Sequence, residues 1–166
     1  KQDDGFSEAT TLVDLDGTAG GLSGGDQDPS ECIHLGTGAR MLLTLAEAQA
    51  SQAWHLCFRR DAISVNGELG GPGDVAAIDY TRFVDAEELP TDAVKGKTAK
   101  SELAAFQQVD PEALVDPSLV YRGDRVVSAF RSAWFAGGET PEPTTATWYV
   151  RSGDGQRGFL LFFESF

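Results

Sequence analysis

The chain has 166 residues, 41% of them hydrophobic, enough for one domain with a real core. Its formal net charge of −13 argues against nucleic acid and anionic membrane surfaces as partners. Nineteen glycines and few helical periods favour strands and turns, and no run of 18 apolar residues exists to span a membrane.

Residues 1–8 are polar and acidic and read as a mobile tail ahead of a domain over 9–166. The chain begins at Lys1 without methionine or an apolar signal region, as expected of a mature, processed protein. Asp14-Leu-Asp-Gly-Thr18 follows an apolar pair and matches the first motif of haloacid-dehalogenase-type phosphatases. In that chemistry Asp14 would be the nucleophile and Asp16 the general acid/base, with Mg²⁺ neutralising the phosphate. The stretch that follows is rich in Gly, Asp and Ser, where that fold needs long helices. The plainer reading is a strand ending in an Asp-Gly turn. The same acidic loop, with Asp26 and Asp28, offers clustered oxygens for a loop-stabilising Ca²⁺, without EF-hand spacing.

Cys32 to Leu35 and Arg40 to Leu45 flank Gly36-Thr-Gly38 and predict a hairpin. Ala46 to Ala53 has room for one helical turn. Trp54 to Val65 reads as one long strand with Trp54, Leu56 and Phe58 on one face and His55, Cys57 and Arg59 on the other. Ile63 and Val65 break that parity, so a bulge is expected near residues 59–61. Asn66-Gly67 and Gly70-Gly-Pro-Gly73 end the strand with residues that tolerate positive φ.

Val75 to Tyr80 is a further strand candidate, and residues 83–97 are acidic and irregular. Ala99 to Val109 is the best helix candidate, with Leu103 and Phe106 three apart. Leu119 to Tyr121 and Val126 to Phe135 are strand candidates. Ala146 to Arg151 and Gly158 to Phe163 form the clearest hairpin. An Asp154-Gly155 turn there sets Val150 opposite Phe159 and Trp148 opposite Leu161. The last strand is apolar on both faces and is expected to be central or covered on both sides.

The chemistry-bearing residues are few. Cys32-x-His34 and His55-x-Cys57 each place a cysteine and a histidine on one strand face. In antiparallel neighbours, Cys32 would face Cys57 and His34 would face His55, giving a set of four zinc donors. The competing hairpin makes residues 40–45 the natural partner of 32–35. Three readings of the cysteines stay open: a structural disulfide, metal ligands, or two unpaired buried thiols. The histidines are either hydrogen-bonded strand residues or ligands to a metal or haem iron, with Met41 as a softer substitute. Arg59 and Arg60 are either ordinary ion-pairing residues or partners for an anionic ligand such as a haem propionate.

Trp54-His-Leu-Cys-Phe-Arg-Arg, then Ile63, Asn66-Gly67 and Gly71-Pro-Gly73, resembles the HmuY-like proteins. These are secreted or outer-membrane-anchored bacterial proteins with an all-β fold, whose best-known members bind haem. Ile33-His-Leu-Gly-Thr-Gly38 looks like that family's preceding hairpin, and Trp148-Tyr-Val-Arg-Ser-Gly-Asp-Gly155 like its closing one. The resemblance covers about residues 10–166. It implies an all-β, mainly antiparallel sheet or sandwich with one short helix, an extracytoplasmic location, and haem scavenging or transfer. His34, His55 and Met41 are the axial candidates under it. Position 55 is histidine where the family commonly has aspartate. The rival expectation is a structural or interaction module that binds another surface protein without a cofactor.

Overall fold

The computed structural model describes residues 13–21, 25–79, 112–130, 134–136, 139, 142–143 and 148–163. The described residues form an all-β fold with one short α-helix. The first sheet takes β1 (Ser30–His34), β2 (Ala39–Leu43), β3 (Leu56–Arg59) and β4 (Ala62–Val65) in the order β2-β1-β3-β4. The second takes β5 (Ala76–Asp79), β8 (Trp148–Arg151) and β9 (Gly158–Leu161) in the order β5-β8-β9. All of these pairings are antiparallel. A two-residue pair joins β6 (Phe135–Ala136) to β7 (Glu142–Pro143).

β1 is the element the two hairpin readings competed for, and it satisfies both. One edge pairs with β2 and the other with β3, in the register that sets Cys32 against Cys57. The turn between β1 and β2 closes on the His34 carbonyl, which accepts from Thr37 N–H and Gly38 N–H. Gly38 takes a φ of +71°, a left-handed position that glycine adopts without steric cost. The short helix α1 (Leu45–Ala50) starts on a capping box, in which Thr44 Oγ1 accepts from Glu47 N–H and Glu47 Oε2 accepts from Thr44 N–H.

One core lies where the two sheets meet. Ile33, Leu56, Phe58, Ile63 and Val65 from the first sheet pack with Val75, Ala77, Trp148 and Val150 from the β5–β8 side. Each large aliphatic side chain buried there contributes about 1.5–3 kcal/mol. Phe130 stacks on Trp148 at 4.2 Å, and Trp134 Nε1–H donates to the Asp61 carbonyl at 2.6 Å. A second cluster covers the other face of the first sheet: Cys32, Cys57, Ala48 and Trp54, with Met41 and Leu43 against it.

Several expectations are corrected. Residues 54–65 are not one bulged strand; the chain reverses at Arg60-Asp61 and returns as β4, in register Phe58 to Ile63. Arg60 takes a φ of +55° to make that reversal. The parity change at Ile63 therefore marks a second strand. Trp54 does not share a face with Leu56 and Phe58. The chain bends at His55, and the indole goes to the helix side, where its Nε1–H donates to the Ala48 carbonyl at 3.0 Å.

The glycines of residues 67–73 serve close approach, not positive φ. Among residues 66–74 the left-handed positions are Glu68 and Asp74. A Cβ on Gly71 would lie 2.2 Å from Asn66 Oδ1, and one on Gly67 would lie 2.1 Å from the Val75 carbonyl oxygen.

Leu119 to Tyr121 and Val126 to Phe130 form no strand. Their region is organised by polar side chains instead. Asp124 accepts from Val65 N–H and Ala129 N–H, both at 2.9 Å, while the Arg122 guanidinium donates to the carbonyls of Val127, Ser128 and Ala129. Val126 is left 96% exposed, which no packed strand position permits. At the C-terminal hairpin the expected register holds, Trp148 to Leu161 and Val150 to Phe159. The loop is wider than two residues, because Ser152 N–H closes on the Arg157 carbonyl around 153–156. β9 ends its sheet among the described residues and is half-buried throughout, so it is not the central strand. The expected helix over 99–109 and the tail over 1–8 lie outside the described residues.

Candidate functional site

The β1–β3 register brings both cysteines and both histidines together in pairs. Cys32 and Cys57 are joined by a disulfide inside the second cluster. Bonded sulfurs are not thiolates, so neither the zinc set nor the two free thiols applies. Among the described residues no group of three or more His, Cys, Asp or Glu side chains is placed to hold a metal ion.

Two residues along the same register, the His34 and His55 rings pack at 4.1 Å between centroids, tilted by 33°. His55 also packs on Phe159 of β9 at 5.5 Å, which puts the pair at the joint between the sheets. Each Nδ1 accepts a backbone N–H at 3.2 Å, from Leu35 for His55 and from Thr37 for His34. A neutral ring that accepts at Nδ1 carries its proton on Nε2. Each neutral imidazole therefore presents Nε2–H, a donor, to its surroundings. Neither Nε2 has a partner among the described residues. None of their buried side-chain N or O atoms is unsatisfied, so the His55 Nε2 reaches solvent.

Both histidines line a half-open cavity of about 430 Å³. Three separate stretches line it: His34 beside the β1–β2 turn, Gln52, His55 and Asp74 around the Trp54–Gly73 stretch, and Asp154 and Arg157 in the β8–β9 loop. Gly153 lets the last of them close in, since a Cβ there would lie 1.8 Å from the Gly73 carbonyl oxygen. The Arg157 guanidinium lies over Gly36, its Nη1 3.0 Å from where a Cβ would stand. Asp154 is held locally by Ser152 Oγ and Gln156 N–H, which keeps its carboxyl below the usual range.

Other residues singled out in the sequence sit elsewhere. Met41 pairs with Cys32 across β1–β2 and packs on the disulfide cluster, on the helix side and not with the histidines. Arg59 and Arg60 lie at the far end of β3, about 13 Å along the strand from His55 at ~3.3 Å per residue. There Arg59 Nη1 donates to the Gly25 carbonyl and Arg60 N–H to the Gly17 carbonyl. The acidic loop closes on itself. Asp16 accepts from Thr18 N–H at 2.8 Å and Thr18 Oγ1 at 2.7 Å, and Asp28 accepts from Gly25 N–H at 2.9 Å. The described residues around Asp14 and Asp16 show none of the strand–helix alternation that the phosphatase motif is built on. Asn66 and Asp124 organise the loops; sequence reading gave Asn66 only a place in a strand-ending turn and Asp124 no role. Asn-Gly at 66–67 was the available signal for the first; the second carried none.

Burial pulls the His55 pKa from 6.5 down to about 4, helped by the neighbouring His34 and Arg157 and opposed by Asp154. The folded state thus takes up the proton later than the unfolded chain as the pH falls. The associated stability is complete above pH 6.5 and is lost between pH 6.5 and about 4. At 1.36 kcal/mol per unit the loss reaches about 3 kcal/mol. Denaturant midpoints taken across that range will show the slope, and a His55→Leu variant will flatten it; an unchanged slope in that variant would place the acid sensitivity elsewhere.

No protein-family model matches the chain, and no curated protein is recognisably similar to it in sequence.

Proposed function

We propose that this chain is a non-catalytic binding module that works outside the reducing cytosol. The observation that carries this reading is the convergence of three loops, far apart in sequence, on one polar cavity. Ligand sites are concave and hold a few converging polar groups on a rigid frame. Here the frame is two antiparallel sheets, and one is cross-linked by a disulfide. A disulfide buried in a core belongs to an oxidising compartment such as the periplasm or the cell exterior. No helix among the described residues is long and apolar enough to cross a membrane.

Haem is the ligand that the HmuY-like resemblance implies, and the donor set is a poor fit for it. Axial ligation takes a lone pair from each imidazole, with the other ring nitrogen donating. Here both Nδ1 atoms accept, so both Nε2 atoms are protonated. The rings lie against each other, and Met41 is on the opposite face. A polar ligand held without a cofactor suits the cavity better. Titration with haemin will leave the Soret band of free haemin unshifted. A shifted band that disappears in a His34→Ala/His55→Ala variant would overturn this reading in favour of haem.

A further inference from the structure

We propose that the cavity between the β1–β2 turn and the β8–β9 loop binds a singly charged carboxylate on a small polar ligand, with Arg157 and the two imidazole Nε2–H groups as its donors. This rests on the binding-module reading and names the ligand class for the same site.

Three observations lead there. First, both histidines line the cavity with Nδ1 already used as an acceptor, which leaves Nε2–H as the group each can offer. Second, the Arg157 guanidinium has no ion pair or hydrogen bond among the described residues, although its backbone closes the β8–β9 loop. It lies over Gly36, within the same turn that His34 opens. Third, the acceptor nearest Arg157 in sequence is partly committed: Asp154, on which the Arg157 charge also acts, accepts from Ser152 Oγ and Gln156 N–H.

A planar guanidinium fork with two N–H donors beside it matches a carboxylate. The charges around the cavity limit how negative the ligand can be. Asp74 and Asp154 stand at its wall, and the whole chain carries −13. A dianion such as phosphate meets that field at twice the cost of a monoanion. At a cavity of about 430 Å³ a short peptide or similar molecule is accommodated. The source of the carboxylate, a peptide C-terminus or a free organic acid, shares this chemistry.

The protein has only two histidines, so its ring signals are directly assignable by NMR. Titration of the oxidised protein with triglycine, triglycinamide, succinate monomethyl ester and inorganic phosphate tests the proposal. Triglycine is expected to shift both ring signals and to raise the midpoint at which His55 titrates, while triglycinamide leaves them unmoved. The monomethyl ester distinguishes a free acid from a peptide end. Arg157→Ala is expected to weaken binding at least tenfold, and Arg59→Ala, at the far end of β3, to leave it unchanged. Equal shifts from triglycinamide would overturn the carboxylate assignment while leaving a binding module in place. Stronger shifts from phosphate would overturn the monoanion assignment. If no probe moves either ring, the carboxylate proposal falls; haemin then decides the broader reading, and a histidine-dependent Soret band overturns both.

Discussion

Removing the cross-link with Cys32→Ala/Cys57→Ala is expected to lower stability by about 3.5 kcal/mol, from the chain entropy of a closed loop of 25 residues. In a chain of this size that is on the order of 10 °C in Tm. The loop runs from β1 through β2, α1 and the Trp54 bend to β3, so the bond restrains four elements at once. Both sulfurs are buried with Trp54 and Ala48, and the truncation leaves space there that adds to the loss. Urea unfolding of the oxidised protein, the reduced protein and the variant provides the measurement. Both of the last two should show a lowered midpoint, the variant's the lower by the packing it loses. Identical midpoints with and without reductant would show that the bond contributes nothing to the fold.

Asn66→Ala is expected to cost about 2–3 kcal/mol, since it leaves one buried and two partly buried backbone groups without their partner. The Asn66 side chain is fully buried. Its Nδ2 donates to the Ser51 carbonyl at 3.0 Å and the Trp54 carbonyl at 2.8 Å, and its Oδ1 accepts from Gly73 N–H at 3.0 Å. One amide thus ties the exit of α1, the bend before β3 and the glycine-rich loop together. Asn66→Asp keeps the Gly73 contact but turns a carboxylate oxygen toward two carbonyls, so it is expected to be worse than alanine. Gly71→Ala gives an independent check. Its Cβ meets Asn66 Oδ1 at 2.2 Å, and the penalty is expected to shrink when Asn66 is already alanine. Additive penalties in that double-mutant cycle would mean the glycine is required for another reason.

Both effects bear on the cavity. Asn66 positions Gly73 and hence Asp74, and the disulfide holds β3 against β1 two residues from the histidine pair. A variant that loosens either is expected to lose ligand contacts along with stability.

Much of the local structure was legible. The β1–β2 and β8–β9 hairpins follow from glycine-bearing turns between apolar strands, and the register of the second was readable to the residue. The pairing of Cys32 with Cys57 and of His34 with His55 was also readable as one register, though only as one alternative. The reversal at Arg60-Asp61 was not. The left-handed position falls on Arg60, which is not a usual turn former, and the break in parity at Ile63 reads equally as a bulge. The segment 122–130 misled for a related reason. Its Val and Phe content suggests strands, but its backbone groups are satisfied by the Asp124 carboxylate and the Arg122 guanidinium.

The sequence by itself determined the all-β class, the β1–β2 and β8–β9 hairpins and the strand register of the second, because two-residue alternation and turn chemistry act between near neighbours. Only the tertiary structure decided what the histidines do. Their Nδ1 atoms are taken by backbone N–H groups of the β1–β2 turn, and both rings line one cleft with Arg157, more than a hundred residues further along the chain. No local pattern encodes that meeting. It arises because burying one shared core stacks the two sheets, and that stacking brings their loops to a common edge.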